Sequence, residues 1–228
     1  MNKVVIGLSG GMDSATLLGY FLNQGYEVHT CSFQYGSKQN KYEEKAVSQI
    51  IEYYYKHGFL VVSHRINLEN AFGDFRSNLL KTGGDIPEGH YEDESMKATV
   101  VPGRNLIFLS IMAGLAESIG AKIVAIGVHS GDHAIYPDCR PEFVAAAHNA
   151  IELSTGGKVK VVAPFLLDDK AGILHRGLND FTLKVPYELT RTCYKDQEYA
   201  CGKCGSCQER IEAFHNLGIE DPIIYEAE

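Results

Sequence analysis

The chain has 228 residues, 45% hydrophobic and 22% charged, a composition ordinary for one globular domain with a sizeable core and room for a small appendage. Its formal net charge of -8 argues against stable nucleic-acid binding, which needs clustered Lys and Arg to displace counterions, and makes a small molecule the default substrate. No apolar stretch approaches the ~20 residues that span a bilayer, and the start "MNKVVIGL" lacks the apolar region and cleavage site of a signal peptide, so a soluble, cytoplasmic protein with no membrane partner is expected.

In chain order, "KVVIGL" (3–8) reads as a buried strand and "DSATLLGYFLNQG" as a helix with an apolar stripe through Leu18, Phe21 and Leu22 and a stop at Gly25. "EVHTCSF" (27–33) is a second strand, "NKYEEKAVSQIIEYYYKHG" a helix ending near Gly58, and "FLVVSHRIN" a third strand. The stretch from about Glu69 to Val101 is rich in Gly, Asp and Glu. A structureless loop of that length is uncommon, so it is expected to be a partly helical lid or an oligomer contact. "GRNLIFLSIMAGLAESIG" then reads as a helix, "AKIVAIGVHS" as a strand, "PEFVAAAHNAIELSTGG" as a helix and "VKVVAPFLL" as the last clear strand. A short helix at about Asp169 to Asn179 precedes a cysteine-bearing tail. Alternating strands and helices predict an α/β fold with a parallel sheet covered on both faces. Ligands of such sheets bind beyond the carboxyl ends of the strands.

That is where "LSGGMDS" (8–14) falls, between the first strand and the first helix. The first N–H groups of a helix have no partner within it, and the helix dipole favours an anion there. Gly10 and Gly11 let backbone approach a phosphate, and Ser9 and Ser14 add hydroxyl donors. Asp13 is unsuited to direct phosphate contact; it caps the helix or helps hold a phosphate-bridging metal. The spacing is neither G-x-x-x-x-G-K-[ST] nor G-x-G-x-x-G. "SGGxDS" instead matches the pyrophosphate loop of ATP pyrophosphatases, which cut ATP between its α and β phosphates; Leu8 to Ser14 are therefore the expected ATP-binding residues. A plain turn with a Ser or Asp cap is the competing reading.

Four of the six cysteines cluster in "CYKDQEYACGKCGSC", as Cys193-x7-Cys201-x2-Cys204-x2-Cys207. Four thiolates can close a tetrahedral zinc site, and no neighbouring His or carboxylate suggests an open position, so the metal is expected to be structural. Gly202 and Gly205 lie where the backbone is expected to bend sharply between ligands. Two disulfides, redox-active pairs and an iron–sulfur cluster are the alternatives. Cys139 is expected to be a buried thiol, and the nine histidines show no metal spacing.

Two further stretches carry more polar chemistry than a turn requires. "VPGRN" (101–105) puts Arg104 and Asn105 at a helix start, and "GDHAIYPDCRPEF" (131–143) packs Asp132, His133, Tyr136, Asp138 and Arg140 into a loop after the fourth strand. Arg can clamp a carboxylate or phosphate bidentately, and Asp can pair the N–H groups of a purine-like base. An Arg–Asp ion pair in an ordinary loop is the alternative. Lys170, just after the last strand, either faces the phosphates or is solvated surface.

With "SGGMDS", "VPGRN", "YPDCRPEF" and "TCY…CGKCGSCQER" in this order over nearly the whole chain, the sequence resembles the family of 7-cyano-7-deazaguanine synthases, the nitrile-forming ligases of the queuosine pathway. The resemblance implies a nucleotide-hydrolase-like (PP-loop) three-layer fold: residues 1–185 would form the ATP pyrophosphatase domain, and 186–228 a zinc-binding segment packed on it. It implies ATP with magnesium, structural zinc on the four tail cysteines, and a homodimer. The implied substrates are 7-carboxy-7-deazaguanine and ammonia. The acid would be adenylated and converted to an amide, and a second ATP would drive the amide to the nitrile. Ser9, Asp13, Ser14 and Lys170 are then the expected catalytic residues. Arg104, Asn105, Asp132, Tyr136, Asp138 and Arg140 are the expected acceptor contacts. Met12 stands where the family usually has glutamine, "HAI" (133–135) replaces its small and aromatic residues, and the tryptophan often found before the matching Lys170 is absent. A relative that stops at the amide, a tRNA-modifying ATP pyrophosphatase and a non-catalytic nucleotide-binding module are the other functional classes.

Overall fold

In a computed structural model that describes residues 2–226, the strand β1 (Lys3–Gly7) shows why the domain has three layers. Val4 and Ile6 point into one core, and Val5 points into another on the opposite face. Alternating side chains of one strand can feed two cores only if both faces of the sheet are covered. The first core is closed by α1 (Met12–Asn23), by Val47, Ile50 and Tyr54 of α2 (Asn40–Lys56), and by Ile173 and Leu174 of α5 (Lys170–Asn179). The second is closed by Leu109, Met112 and Ala116 of α3 (Arg104–Ile119) and Ala147 and Ile151 of α4 (Pro141–Ser154).

With β2 (Glu27–Gln34), β3 (Val61–Asn67), β4 (Ile123–Ala125) and β5 (Lys160–Val162), the sheet has the order β3-β2-β1-β4-β5, every pair parallel. The chain therefore winds outward from β1 to β3 and then returns to the other side of β1. The crevice between the carboxyl ends of β1 and β4 is the switch point where such sheets bind ligands, and residues 8–14 leave β1 directly into it. The α/β class with a parallel sheet is as expected.

The last two strands are shorter than their apolar runs predict. After Ala125 and Val162, only Ile126 N–H continues the ladder, donating to Val162 O at 3.1 Å. The runs are apolar beyond that because Ile126, Val128 and Phe165 still pack in the cores as loop residues, and Pro164 has no N–H for a ladder.

Residues 69–101 form turns and one 3-10 helix (Glu94–Thr99) rather than extended helix. Phe72, Leu79, Leu80, Ile86 and Val101 bury themselves in a third core that they share with all four tail cysteines. The contact is close: a Cβ on Gly205 would sit 2.9 Å from Met96 Sδ and 3.1 Å from Tyr91 Cα. Gly205 is therefore needed for approach, not for a bend; it opens α6 (Gly205–Asn216), whereas Gly202 supplies the left-handed turn at φ 68°.

Helix α6 also reaches the first core through Ala213 and Phe214. Its Arg210 is fully buried. The guanidinium donates to both oxygens of Asp221 at 2.7 and 2.8 Å, to Thr190 Oγ1 at 2.6 Å and to Tyr187 O at 3.1 Å. Removing one partner of such a pair strands a buried charge. Asp221→Ala is expected to destabilise the chain by about 3–5 kcal/mol, read as a lower urea midpoint with an unchanged slope; a midpoint within error of the parent would show that the pair contributes nothing net.

No helix among the described residues is long and apolar enough to cross a membrane.

Candidate active site

The turn after β1 is shaped by its glycines and held by its serines. Gly10 takes φ 85°, and a Cβ there would lie 2.9 Å from both Ala46 Cβ and Glu43 O of α2. Only glycine satisfies both constraints. Ser9 N–H donates to Ser14 Oγ at 3.2 Å, the two hydroxyls lie 3.1 Å apart, and Gly11 N–H donates to Ser9 Oγ at 3.3 Å. Leu8 and Met12 are core side chains that border the turn from beneath. The N-terminus of α1 carries no side-chain cap, so Asp13 is not a capping residue.

Asp13 instead pairs with Lys170, whose Nζ lies 2.7 Å from Oδ2. Lys170 opens α5 and its side chain is only 8% exposed, so the solvated-surface alternative does not hold. Burial alone would raise the Asp13 carboxyl; Lys170 and His129 outweigh it and hold the group below the usual carboxylate range. Burial would lower the Lys170 ammonium, but Asp13 and Glu209 raise it well above the ordinary lysine value. It is a permanent cation at the end of the turn. Asp13 Oδ1 is buried without a partner among the described residues.

Two members of this cluster are not apparent from the sequence. Glu209 of α6 places Oε2 3.1 Å from Lys170 Nζ. His129, 1% exposed, sits behind the cavity wall with Nε2 3.0 Å from Lys170 Nζ and 3.7–3.8 Å from carboxylates of Asp13, Asp132 and Glu209. Gly131 N–H donates to His129 Nδ1 at 3.1 Å, fixing the ring's orientation. Neither residue has a metal-ligand or catalytic spacing of its own. The available signal was the helical register of "CGSCQER": Ser206 and Glu209, three apart on one face of α6, both line the cavity.

The cavity over the turn has a volume of about 270 Å³. Its lining includes Ser9, Gly11, Ser14 and Lys170 as well as Arg104, Asn105, Asp132 and Tyr136. Asp132 is committed to the loop: Oδ1 accepts from Tyr91 O–H at 2.8 Å and Oδ2 from His129 N–H at 3.3 Å. Tyr136 O–H lies 2.7 Å from Thr99 Oγ1. Asp138 Oδ2 accepts from Asn105 N–H at 3.0 Å, fixing the start of α3. Arg140 is exposed and donates through Nε to His133 O at 2.8 Å; neither it nor Asp138 lines the cavity. Cys139 is buried, and burial raises its thiol far from the thiolate, which suits a structural sulfhydryl.

The four tail cysteines are buried, with sulfurs within 4.8 Å of one another. Four sulfurs around one zinc at 2.3 Å would be about 3.8 Å apart, and Cys201 and Cys207 already stand at 3.9 Å. Backbone N–H groups of Lys195 and Cys201 donate to Cys193 Sγ, and those of Lys203 and Cys204 to Cys201 Sγ, at 3.3–3.4 Å. Such donors stabilise thiolates, the form a metal needs. The donor set therefore fits a metal ion.

The metal loop and the glycine turn are fastened by one residue. Arg191 N–H donates to Gly10 O at 2.7 Å. Its guanidinium donates to the carbonyls of Lys195, Gln197 and Glu198 at 2.8–3.1 Å, between the first two cysteines, and stacks over Tyr42.

Residues 3–218 match the family described as queuosine biosynthesis protein QueC. The chain belongs to the QueC family. It is 47% identical to a 7-cyano-7-deazaguanine synthase of Pseudoalteromonas atlantica, over 99% of this chain and all of that one. It is 48% identical to the protein of that name from Caldicellulosiruptor saccharolyticus, over 99% and 96% of the two chains. Among solved structures, a 4-thiouridine synthetase–RNA complex with bound ATP is 21% identical, with a TM-score of 0.49 over 95% of this chain and 51% of that one. The QueC match spans the glycine turn, the cavity and the metal loop.

Proposed function

We propose that this QueC-family enzyme is a 7-cyano-7-deazaguanine synthase that uses ATP to convert 7-carboxy-7-deazaguanine and ammonia into the nitrile. The observation that carries the reading is a donor-lined turn at the sheet's switch point, faced by a buried, permanently charged lysine. A carboxylate must acquire a leaving group before ammonia can displace anything from it. Its oxygen attacks the α-phosphorus of ATP, the α–β bond breaks, pyrophosphate leaves and an acyl adenylate remains. Ammonia adds to the acyl carbon, loses a proton and expels AMP, giving the amide. The amide oxygen attacks a second ATP at the α-phosphorus and expels pyrophosphate. The two N–H protons are given up, one at that step and one as AMP leaves, and the carbon–nitrogen triple bond forms.

The protein's part is to hold phosphates and meet the charge that develops on them. The hydroxyls of Ser9 and Ser14 and the N–H groups of Gly10 and Gly11 are the donors, and Lys170 is the cation. Magnesium bound with ATP would supply charge neutralisation at the phosphates, and Asp13, with its unpartnered Oδ1, is the residue to hold it. Zinc on Cys193, Cys201, Cys204 and Cys207 would be structural, ordering the segment that carries Glu209. Arg104, Asn105 and Tyr136, which border the cavity, are candidate acceptor contacts.

The test is mass analysis of the products formed from 7-carboxy-7-deazaguanine, ammonium and ATP. Nitrile with two AMP per product is expected. Accumulation of amide alone would retain the adenylation and discard the nitrile step; no acid-dependent AMP would discard both.

A further inference from the structure

The cavity has a corner that the reaction above does not use. It lies at the start of α2, where Gln39 and Glu43 line the wall beside Tyr35 and Arg104. Gln39 is 4% exposed, and its carbonyl Oε1 is buried with no hydrogen-bond partner among the described residues. Glu43 has only long contacts, at 3.4 Å, from Gln39 Nε2 to Oε1 and from Ser37 Oγ to Oε2. A buried acceptor left open costs free energy unless a ligand completes it. Two acceptor groups side by side ask for a ligand edge made of adjacent donors.

We infer that Glu43 and Gln39 read the donor edge of the acceptor base, the ring N1–H and exocyclic amine of a guanine-type heterocycle. The inference rests on the deazaguanine reading above and assigns the base edge to α2 rather than to Asp132, whose oxygens already take shorter bonds, from Tyr91 O–H at 2.8 Å and His129 N–H at 3.3 Å. An adenine edge does not fit the same corner. It presents one amine donor beside a ring nitrogen that only accepts, so a carboxylate would face a lone pair. A guanine-type edge puts two donors toward the two acceptors, and Arg104, which lines the same cavity, would be a donor for the neighbouring ring carbonyl. Burial pushes the Glu43 carboxyl up to about 7, with Arg104 pulling it back. A ligand offering two N–H donors favours the ionised form. Glu43 would thus be a specificity-determining residue whose side chain contacts Gln39 and Ser37, while its backbone packs against the glycine turn.

The experiment compares bases that differ only in the exocyclic amine. Binding of 7-deazaguanine and 7-deazahypoxanthine is measured by calorimetry, and acid-dependent AMP release is measured with their 7-carboxy forms, in the parent enzyme, Glu43→Gln and Asp132→Asn. The parent should prefer the amine-bearing base by at least about tenfold, the worth of one charge-assisted hydrogen bond. Glu43→Gln, which keeps the side chain's shape, should erase most of that preference and leave the KM for ATP within about twofold, because the phosphates sit on the glycine turn. Asp132→Asn should keep the preference. Equal binding of the two bases by the parent overturns the inference, as does an unchanged preference in Glu43→Gln or a loss that falls on ATP. A parent that prefers 7-deazaguanine in binding but releases no AMP with its 7-carboxy form would instead refute the proposed reaction and leave the edge assignment standing.

Discussion

Lys170→Met is expected to lower acid-dependent AMP formation by about 10²–10³-fold, the usual loss when one donor to a developing charge is removed. Methionine matches much of the stem but carries no charge, so the Asp13 carboxylate at 2.7 Å and the Glu209 carboxylate at 3.1 Å lose their shared cation. The stability effect has a definite sign with pH. Asp13 is held below its ordinary value, so its pairing stabilises the fold above the unfolded carboxylate's pKa of about 4 and is lost as pH falls through the folded value. The melting-temperature gap between parent and variant should therefore be wide at pH 7 and narrow toward pH 3. Turnover near the parent's would remove Lys170 from the chemistry. A gap that does not change with pH would remove the ion pair from the stability argument.

Cys201→Ser is expected to abolish stoichiometric zinc and to lower the melting temperature by more than about 10 °C. In a chain of this size about 2–4 °C is lost per kcal/mol, and closed four-thiolate sites are worth several kcal/mol to the structure around them. All four sulfurs lie in the third core, with Phe72, Leu79 and Leu80 of the long connecting segment. Losing the ion should therefore loosen residues 69–101 as well as the tail, read as faster amide exchange in both. The purified parent should carry about one zinc per chain. Iron with visible charge-transfer absorption would replace zinc in the assignment, and full zinc occupancy in the variant would remove Cys201 from the ligand set.

How far the sequence discloses these features depends on how local each one is. β1, α1, β2 and α2 agree with their predicted spans to within a few residues, because each is bounded by its own punctuation: glycines at 10, 25 and 58 all take positive φ. β4 and β5 are shorter than their apolar runs predict because apolar residues that fill a core from a loop look identical, in sequence, to those that fill it from a strand. The glycine turn is legible because seven consecutive residues make it, and the cysteine set because thiolate spacing has few other uses. Glu209, His129 and Tyr91 are not, because each is brought to the site by a different element and none has a catalytic or metal-ligand spacing of its own. The parallel order of the sheet, with β4 beside β1, is what lets segments so distant in the chain converge.

Arg191 is one residue with a hand on each of two sites: its amide holds Gly10, and its side chain holds the carbonyls between Cys193 and Cys201. Any free energy that flows through such a fastener flows equally in both directions. A nucleotide that firms the glycine turn must then firm the grip on the ion by the same factor, and an emptied metal loop must cost nucleotide affinity in equal measure. Saturating ATP should slow the stripping of the ion by a chelator, and Arg191→Ala should make the stripping rate indifferent to ATP. Where the metal that fits these four cysteines is scarce, molecules occupied with nucleotide would be the last to surrender it.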